Sequence, residues 1–164
     1  IGSVGKTMPA VLVQGAKAHV VECFHGLNAI GVLAEMFMAT ELAPEFSETF
    51  EGEHCPPPTW FNLRDRKYGY DVSVPLRAAG YMSMLGFSKT ARHVMERLKE
   101  IGRQSFASYM KRMEDREASL LFGPIGKDAH QMSELRQGSA GRGSSNFSAF
   151  HRTNVCKYIG DVLY

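Results

Sequence analysis

The sequence predicts an all-α protein: a helical core of about six to seven helices with extended N- and C-terminal arms. Three observations predict it. Apolar residues recur at three- and four-residue steps through much of the chain between residues 10 and 122. No segment alternates apolar and polar residues strongly enough to announce a strand. The run GSAGRGSSNFSAF near the end is Gly/Ser-rich and suits an extended arm. The expected organisation is an arm over 1–9, a core over 10–137 and a second arm over 138–164.

Element by element, the pattern from Ala10 to about Leu42 reads as two helices joined near HGLN, with Val11, Ala18, Val21, Leu27, Ile30, Leu33, Phe37 and Met38 recurring at three- and four-residue steps. Ala43-Pro44 ends the second, because proline disfavours helix in the residue before it. Residues 45–58 are acidic and then proline-rich, which reads as a surface connection. A third helix is expected from Asp71 or Ser73, with Pro75 in its first turn, to about Gly86. Ser88 caps the next, in which Val94, Leu98 and Ile101 face one side and Glu96, Arg97, Lys99, Glu100 and Arg103 the other. FASYMKRMEDREASLLF continues the period as a separate helix, GPIG breaks it, and KDAHQMSELRQ forms a short helix.

Composition bounds the function. The chain has 164 residues, 44% apolar and 22% charged, as in a soluble globular protein. A formal charge of +2 argues against a wholly basic nucleic-acid binder but leaves room for a local basic groove. The longest strongly apolar stretch, Ala29 to Ala39, is too short to span a bilayer and carries Glu35, so no membrane partner is expected. Cys23, Cys55 and Cys156 are odd in number and far apart, which predicts no disulfide framework and a reducing compartment. A chain opening at Ile1, with no charged region ahead of an apolar one, reads as trimmed and without a signal peptide.

No motif calls for catalysis. IGSVGKT resembles the end of a P-loop, but the first glycine would fall before residue 1 and Pro9 follows directly. The six histidines are dispersed, with no zinc spacing, so neither metal nor cofactor is expected. Ser83, Ser105 and Cys55 lack a nucleophile setting. The cations say more. Arg64, Arg66 and Lys67 lie beside Trp60, Phe61, Tyr68 and Tyr70; Arg97, Lys99, Arg103, Lys111 and Arg112 follow on the predicted helices; Arg142 lies in the tail. Cations track a phosphate backbone and aromatic faces stack bases, the means by which single strands are held without reading sequence. The alternative is a solvated helical face with pairs to Glu96, Glu100, Glu114 and Glu117.

One segment weighs on this choice. ELAPEFSETFEGEHCPPPTW resembles a stretch in coat proteins of flexuous filamentous plant RNA viruses, the potexvirus-like and potyvirus-like group. Ala43-Pro44, Pro56, Pro57 and Trp60 match its helix-ending Ala-Pro and Pro-Pro-x-x-Trp, and Lys67, Tyr68, Gly69, Tyr70 and Asp71 match its basic residue and aromatic-small-aromatic-Asp motif. SLLFGPIGKD and RQSFAS are similar to further segments of that group. The resemblance implies an all-helical core whose arms invade neighbouring subunits and build a helical tube around single-stranded genomic RNA. It implies that Asp71 belongs to the RNA-pocket neighbourhood. The prolines would end the acidic connection and Trp60 would anchor it in the core, holding Arg64 to Asp71 at a groove. Where the family has an Arg about two turns before the Ala-Pro, this chain has Met36, so Arg64, Arg66 or Arg103 would supply that cation.

The function expected from the sequence is therefore a non-enzymatic coat protein. It would self-associate into a helical filament, bind RNA through Arg64, Arg66, Lys67, Asp71, Arg97, Lys99, Arg103, Ser105, Lys111, Arg112 and Arg142, and reside in the virion and, during assembly, the host cytoplasm. The alternatives are a globular nucleocapsid protein of another RNA virus and a helical protein–protein adaptor without RNA.

Overall fold

The computed structural model describes residues 4–122, and its architecture is mixed α and β rather than all-helical. Strand β1 is Gly5–Thr7, β2 Ala10–Gln14, β3 Thr49–Phe50, β4 Glu53–His54, β5 Thr59–Asp65 and β6 Arg77–Gly86. Helix α1 is Ala29–Thr40 and α2 is Ala91–Phe122. Short 3-10 turns occupy Val20–His25 and Pro44–Phe46. Residues 5–7, expected in the N-terminal arm, thus belong to a sheet. The expected helix at 127–137 and the arm at 138–164 lie outside the described residues.

Three expected helices are not there as such. The segment from Ala10 to Gln14 is a strand because Val11 and Val13 point inward while Ala10, Leu12 and Gln14 point outward, a period of two. Five residues are too few for that period to stand out against the surrounding apolar background. The expected helix after Ser73 is instead β6, in which Ala78, Gly80, Met82 and Met84 are buried in strict alternation. Alanine and methionine favour helices, so local preference pointed the wrong way and tertiary packing overrode it. Conversely, the two helices expected after Ser88 are one continuous helix of 32 residues. Thr90 caps it, its hydroxyl accepting the His93 amide at 3.3 Å.

The long β6 is the centre of the main sheet. β1 pairs with its C-terminal end (Thr7 opposite Met84) and β2 with its N-terminal half (Val11 opposite Gly80), both antiparallel and on the same side. β5 pairs antiparallel on the other side, with a register shift between Trp60 and Asn62. β2 and β5 are therefore parallel to one another with β6 between them, and α1 links them. That is a split β–α–β arrangement. β3 and β4 form a separate two-stranded hairpin whose turn residues, Glu51 and Gly52, have φ of 49° and 86°. Positive φ at both central positions suits a two-residue hairpin loop, and glycine tolerates it at no steric cost.

Both helices cover the same face of the sheet. Ala29 and Leu33 of α1, Val94, Leu98 and Ile101 of α2, and Trp60, Ala78, Met82 and Met84 of the sheet form one buried cluster. Each such large apolar side chain contributes about 1.5–3 kcal/mol when fully buried. α1 starts at Asn28, whose side chain accepts the Ile30 amide at 3.0 Å. Its end is tied to β5: the Trp60 indole donates to Thr40 Oγ1 at 2.8 Å, while the Trp60 amide donates to Glu41 Oε2 at 2.8 Å. Phe37 packs on the Trp60 ring at a centroid distance of 6.1 Å. The expected anchor role of Trp60 has this physical form. The two helices approach closely where Gly31 meets the Tyr109 ring, a place with no room for a Cβ.

Candidate functional site

The cations singled out in the sequence do not converge on one trough. On the helical side most of them already hold a carboxylate. Arg97 pairs with Glu45 at 3.0 Å, Lys99 with Glu96 at 3.0 Å and Arg103 with Glu100 at 3.2 Å. Arg112 pairs with Glu35, which precedes Met36. Ser105 is buried. Lys111 is exposed, with no ion pair among the described residues. Arg142 lies outside the described residues.

Lys67 and Asp71 belong to the loop between β5 and β6. Lys67 donates to Asp71 Oδ1 at 2.8 Å, Lys17 reaches its other oxygen at 3.2 Å, and the Ser73 amide and hydroxyl donate to Oδ1. Lys67 first, then Ser73 and Lys17, hold the Asp71 carboxyl far below the usual range. This clasp fixes the loop's path, and Asp71 is occupied with its own chain. Tyr68 and Tyr70 of the same loop are fully exposed.

A second carboxylate fixes the acidic connection. Glu48 accepts the amides of Phe87, Ser88 and Lys89 and the Ser88 hydroxyl, at 2.7 to 3.2 Å. Desolvation works to raise its pKa, but the Ser88 amide and hydroxyl and the Lys89 and Phe87 amides outweigh it and hold the group at about 2. Residues 45–53 are thereby stapled to the entry of α2.

Arg64 and Arg66 are placed differently. Among the described residues nothing covers the side of the main sheet away from the helices, and strand register puts its side chains in rows. Ala10, Tyr81 and Asn62 form one row and Leu12, Ala79 and Arg64 the next. Gln14 lies opposite Arg77, whose carbonyl accepts the Arg66 amide at 2.9 Å, so Gln14, Arg77 and Arg66 form a third row. Leu12 is 59% exposed, Phe61 55% and Tyr81 40%. Phe61 and Tyr81 meet edge to face, centroids 6.0 Å apart. A concavity of about 480 Å³ opens here, lined by Leu12, Asn62, Arg64, Arg66, Ala79 and Tyr81 among others. Among the described residues no carboxylate pairs with Arg64, Arg66 or Arg77.

Sequence reasoning missed Arg77, Tyr81 and Leu12 because it put them on helices. The usable signal was the alternation in RAAGYMSM, which places Arg77, Ala79, Tyr81 and Ser83 on one face of a strand. Gly5-Lys6-Thr7, the P-loop-like fragment, lies in β1 and leads into β2, not into a helix. Among the described residues no group of three or more His, Cys, Asp or Glu is placed to hold a metal ion, and no helix is long and apolar enough to cross a membrane.

No protein-family model matches the chain. Among curated proteins it is similar to the uncharacterized protein YqjN of Bacillus subtilis strain 168, with 30% identity over 131 residues. That match takes in 77% of this chain and 24% of the relative, so the chain spans about a quarter of the length of the protein it matches. Neither finding brings in a coat-protein family, and the sheet overturns the all-helical core which that resemblance implied.

Proposed function

We propose that this chain is a non-catalytic α/β binding module whose open sheet face is its working surface, and that the face docks against another protein surface. The observation that supports this most is the composition of that face. An antiparallel sheet with one solvated side normally turns polar residues outward. Here Leu12, Phe61, Tyr81, Ala10 and Ala79 lie outward together, beside an arginine-bearing end. Contiguous exposed apolar surface rimmed by polar groups marks interaction sites.

A second reading rests on the same face. Single-stranded RNA, the partner expected from the sequence, is held elsewhere by open sheets whose aromatic residues stack bases while arginines meet phosphates. Phe61, Tyr81, Arg64 and Arg66 favour it. In this form RNA binding does not use the helical cations and needs no filament.

One experiment separates the readings. A photo-crosslinking amino acid replaces Tyr81 and, as control, Arg103 on the outer side of α2, and the chain is irradiated in cells. Docking predicts a protein adduct from position 81 and none from 103. Nuclease-sensitive adducts from position 81 would favour RNA. Equal yields from both positions would remove the open face from consideration.

A further inference from the structure

We propose that Arg64, Arg66 and Arg77 form a binding site for a small ligand carrying two or three oxyanion groups, carboxylate or phosphate. The inference rests on the reading of the open sheet face as the working surface and adds a ligand class to its charged end.

Strand pairing makes the arrangement dense. Arg66 and Arg77 are neighbours across β5 and β6, joined by the Arg66 amide bond to the Arg77 carbonyl at 2.9 Å. Cross-strand neighbours on one face have Cβ atoms roughly 5 Å apart. Arg64 precedes Arg66 by two residues on the same face, a spacing of roughly 7 Å along a strand. Like charges directly opposite one another destabilise a sheet. Nothing described relieves this. Asp65, the last residue of β5 and between Arg64 and Arg66, is in register with buried Ala78 and so falls on the helix side. Asp71, the acid of the adjoining loop, is taken by Lys67 and Lys17. The folding of the chain gains nothing visible from the cluster, whereas an external anion would turn the repulsion into attraction.

The chemistry specifies the anion. Guanidinium groups are planar forks matched to carboxylate and phosphate oxygens. Guanidiniums based roughly 5–7 Å apart suit separate oxyanion groups on one molecule better than a single ion. Arg64 and Arg66 line the concavity and Arg77 stands opposite Arg66 in the adjoining row; Asn62 and Tyr81 line it too and add neutral donors, and Leu12 and Ala79 offer an apolar wall to a short carbon skeleton. The space of about 480 Å³ is of the size that small-molecule sites occupy.

The test is calorimetric titration at low ionic strength with two probes, citrate and tripolyphosphate, on the parent and on the Arg66→Gln/Arg77→Gln double variant. The expected result is one-site binding of at least one probe, weakened about tenfold or more in the variant. The preferred probe tells carboxylate from phosphate. Urea unfolding of the variant at low salt should match or exceed the parent, since a like-charge pair is removed. No binding of either probe up to about 10 mM, or equal affinity in parent and variant, overturns the inference. So does tighter binding of a short oligouridylate that is lost in Phe61→Ala, which would assign the arginines to RNA. Failure here leaves the docking reading standing if crosslinks from position 81 persist in the double variant. Failure of docking alone shows as oxyanion binding without those crosslinks.

Discussion

Across β2, β5 and β6 the two faces of the main sheet have opposite chemistry. The inner face carries Val11, Val13, Trp60, Leu63, Ala78, Met82 and Met84, all packed against the helices. The outer face carries Leu12, Phe61, Tyr81 and three arginines, with nothing described against it. A side chain's contribution to folding is thus set by parity along the strand: Trp60 is buried and its neighbour Phe61 exposed. The inner face holds the fold together. The outer face retains apolar and cationic groups that nothing among the described residues covers, and this division is the basis of the functional reading.

The largest expected effect comes from breaking the inner face. Trp60→Ala removes the ring that meets Phe37 and the indole bond to Thr40, and should destabilise the chain by about 3–5 kcal/mol in urea unfolding. Gly80→Ala is next. A Cβ there would come within 2.5 Å of the Asn62 carbonyl and 2.6 Å of the Trp60 ring, and should cost about 1–3 kcal/mol through overpacking.

Glu48 sharpens the comparison from outside the sheet. Its pKa is depressed from 4.5 to about 2, so its stabilising bonds are fully present above the ordinary carboxylate pKa and are lost as pH falls from about 5 towards 2. Glu48→Gln should flatten the pH dependence of the unfolding midpoint in that window and leave little effect on its slope near pH 7. A parent and variant with parallel acid profiles would show that the carboxylate is not the latch.

The smallest effect is expected on the outer side of α2. Lys99→Ala and Arg103→Ala each break an exposed pair three residues apart and should shift stability by no more than about 0.5 kcal/mol. If binding of RNA or protein fell in these variants and not in open-face variants, the assignment of the working surface would be reversed.

What the sequence made legible follows from how local each signal is. The sequence places α1 within a few residues because its period, the HGLN joint before it and the Ala43-Pro44 stop are all local. The buried stripe Val94, Leu98 and Ile101 and the anchor Trp60 were read correctly for the same reason. β6 was misread because Ala, Gly and Met on its inner side are poor strand formers, chosen for close packing under α1 and beside Trp60. The candidate site suffered from the same error. Arg64 and Arg66 were named, but their neighbours Arg77, Tyr81 and Leu12 come from other strands, and only the register of β2, β5 and β6 brings them together. The local pairs to Glu96 and Glu100 are legible in the sequence as the alternative to a groove, whereas Glu35 and Glu45, the partners of Arg112 and Arg97, come from distant segments that only the fold brings near.

The central claim is that the outer face works while the inner face holds. It is tested most directly by measuring, in the double variant Leu12→Asp/Phe61→Asp, the yield of crosslinks from position 81 alongside the unfolding midpoint. The account predicts that the adduct disappears while stability stays within about 0.5 kcal/mol of the parent. Persistence of the adduct in a folded variant, or loss of the fold itself, would contradict it.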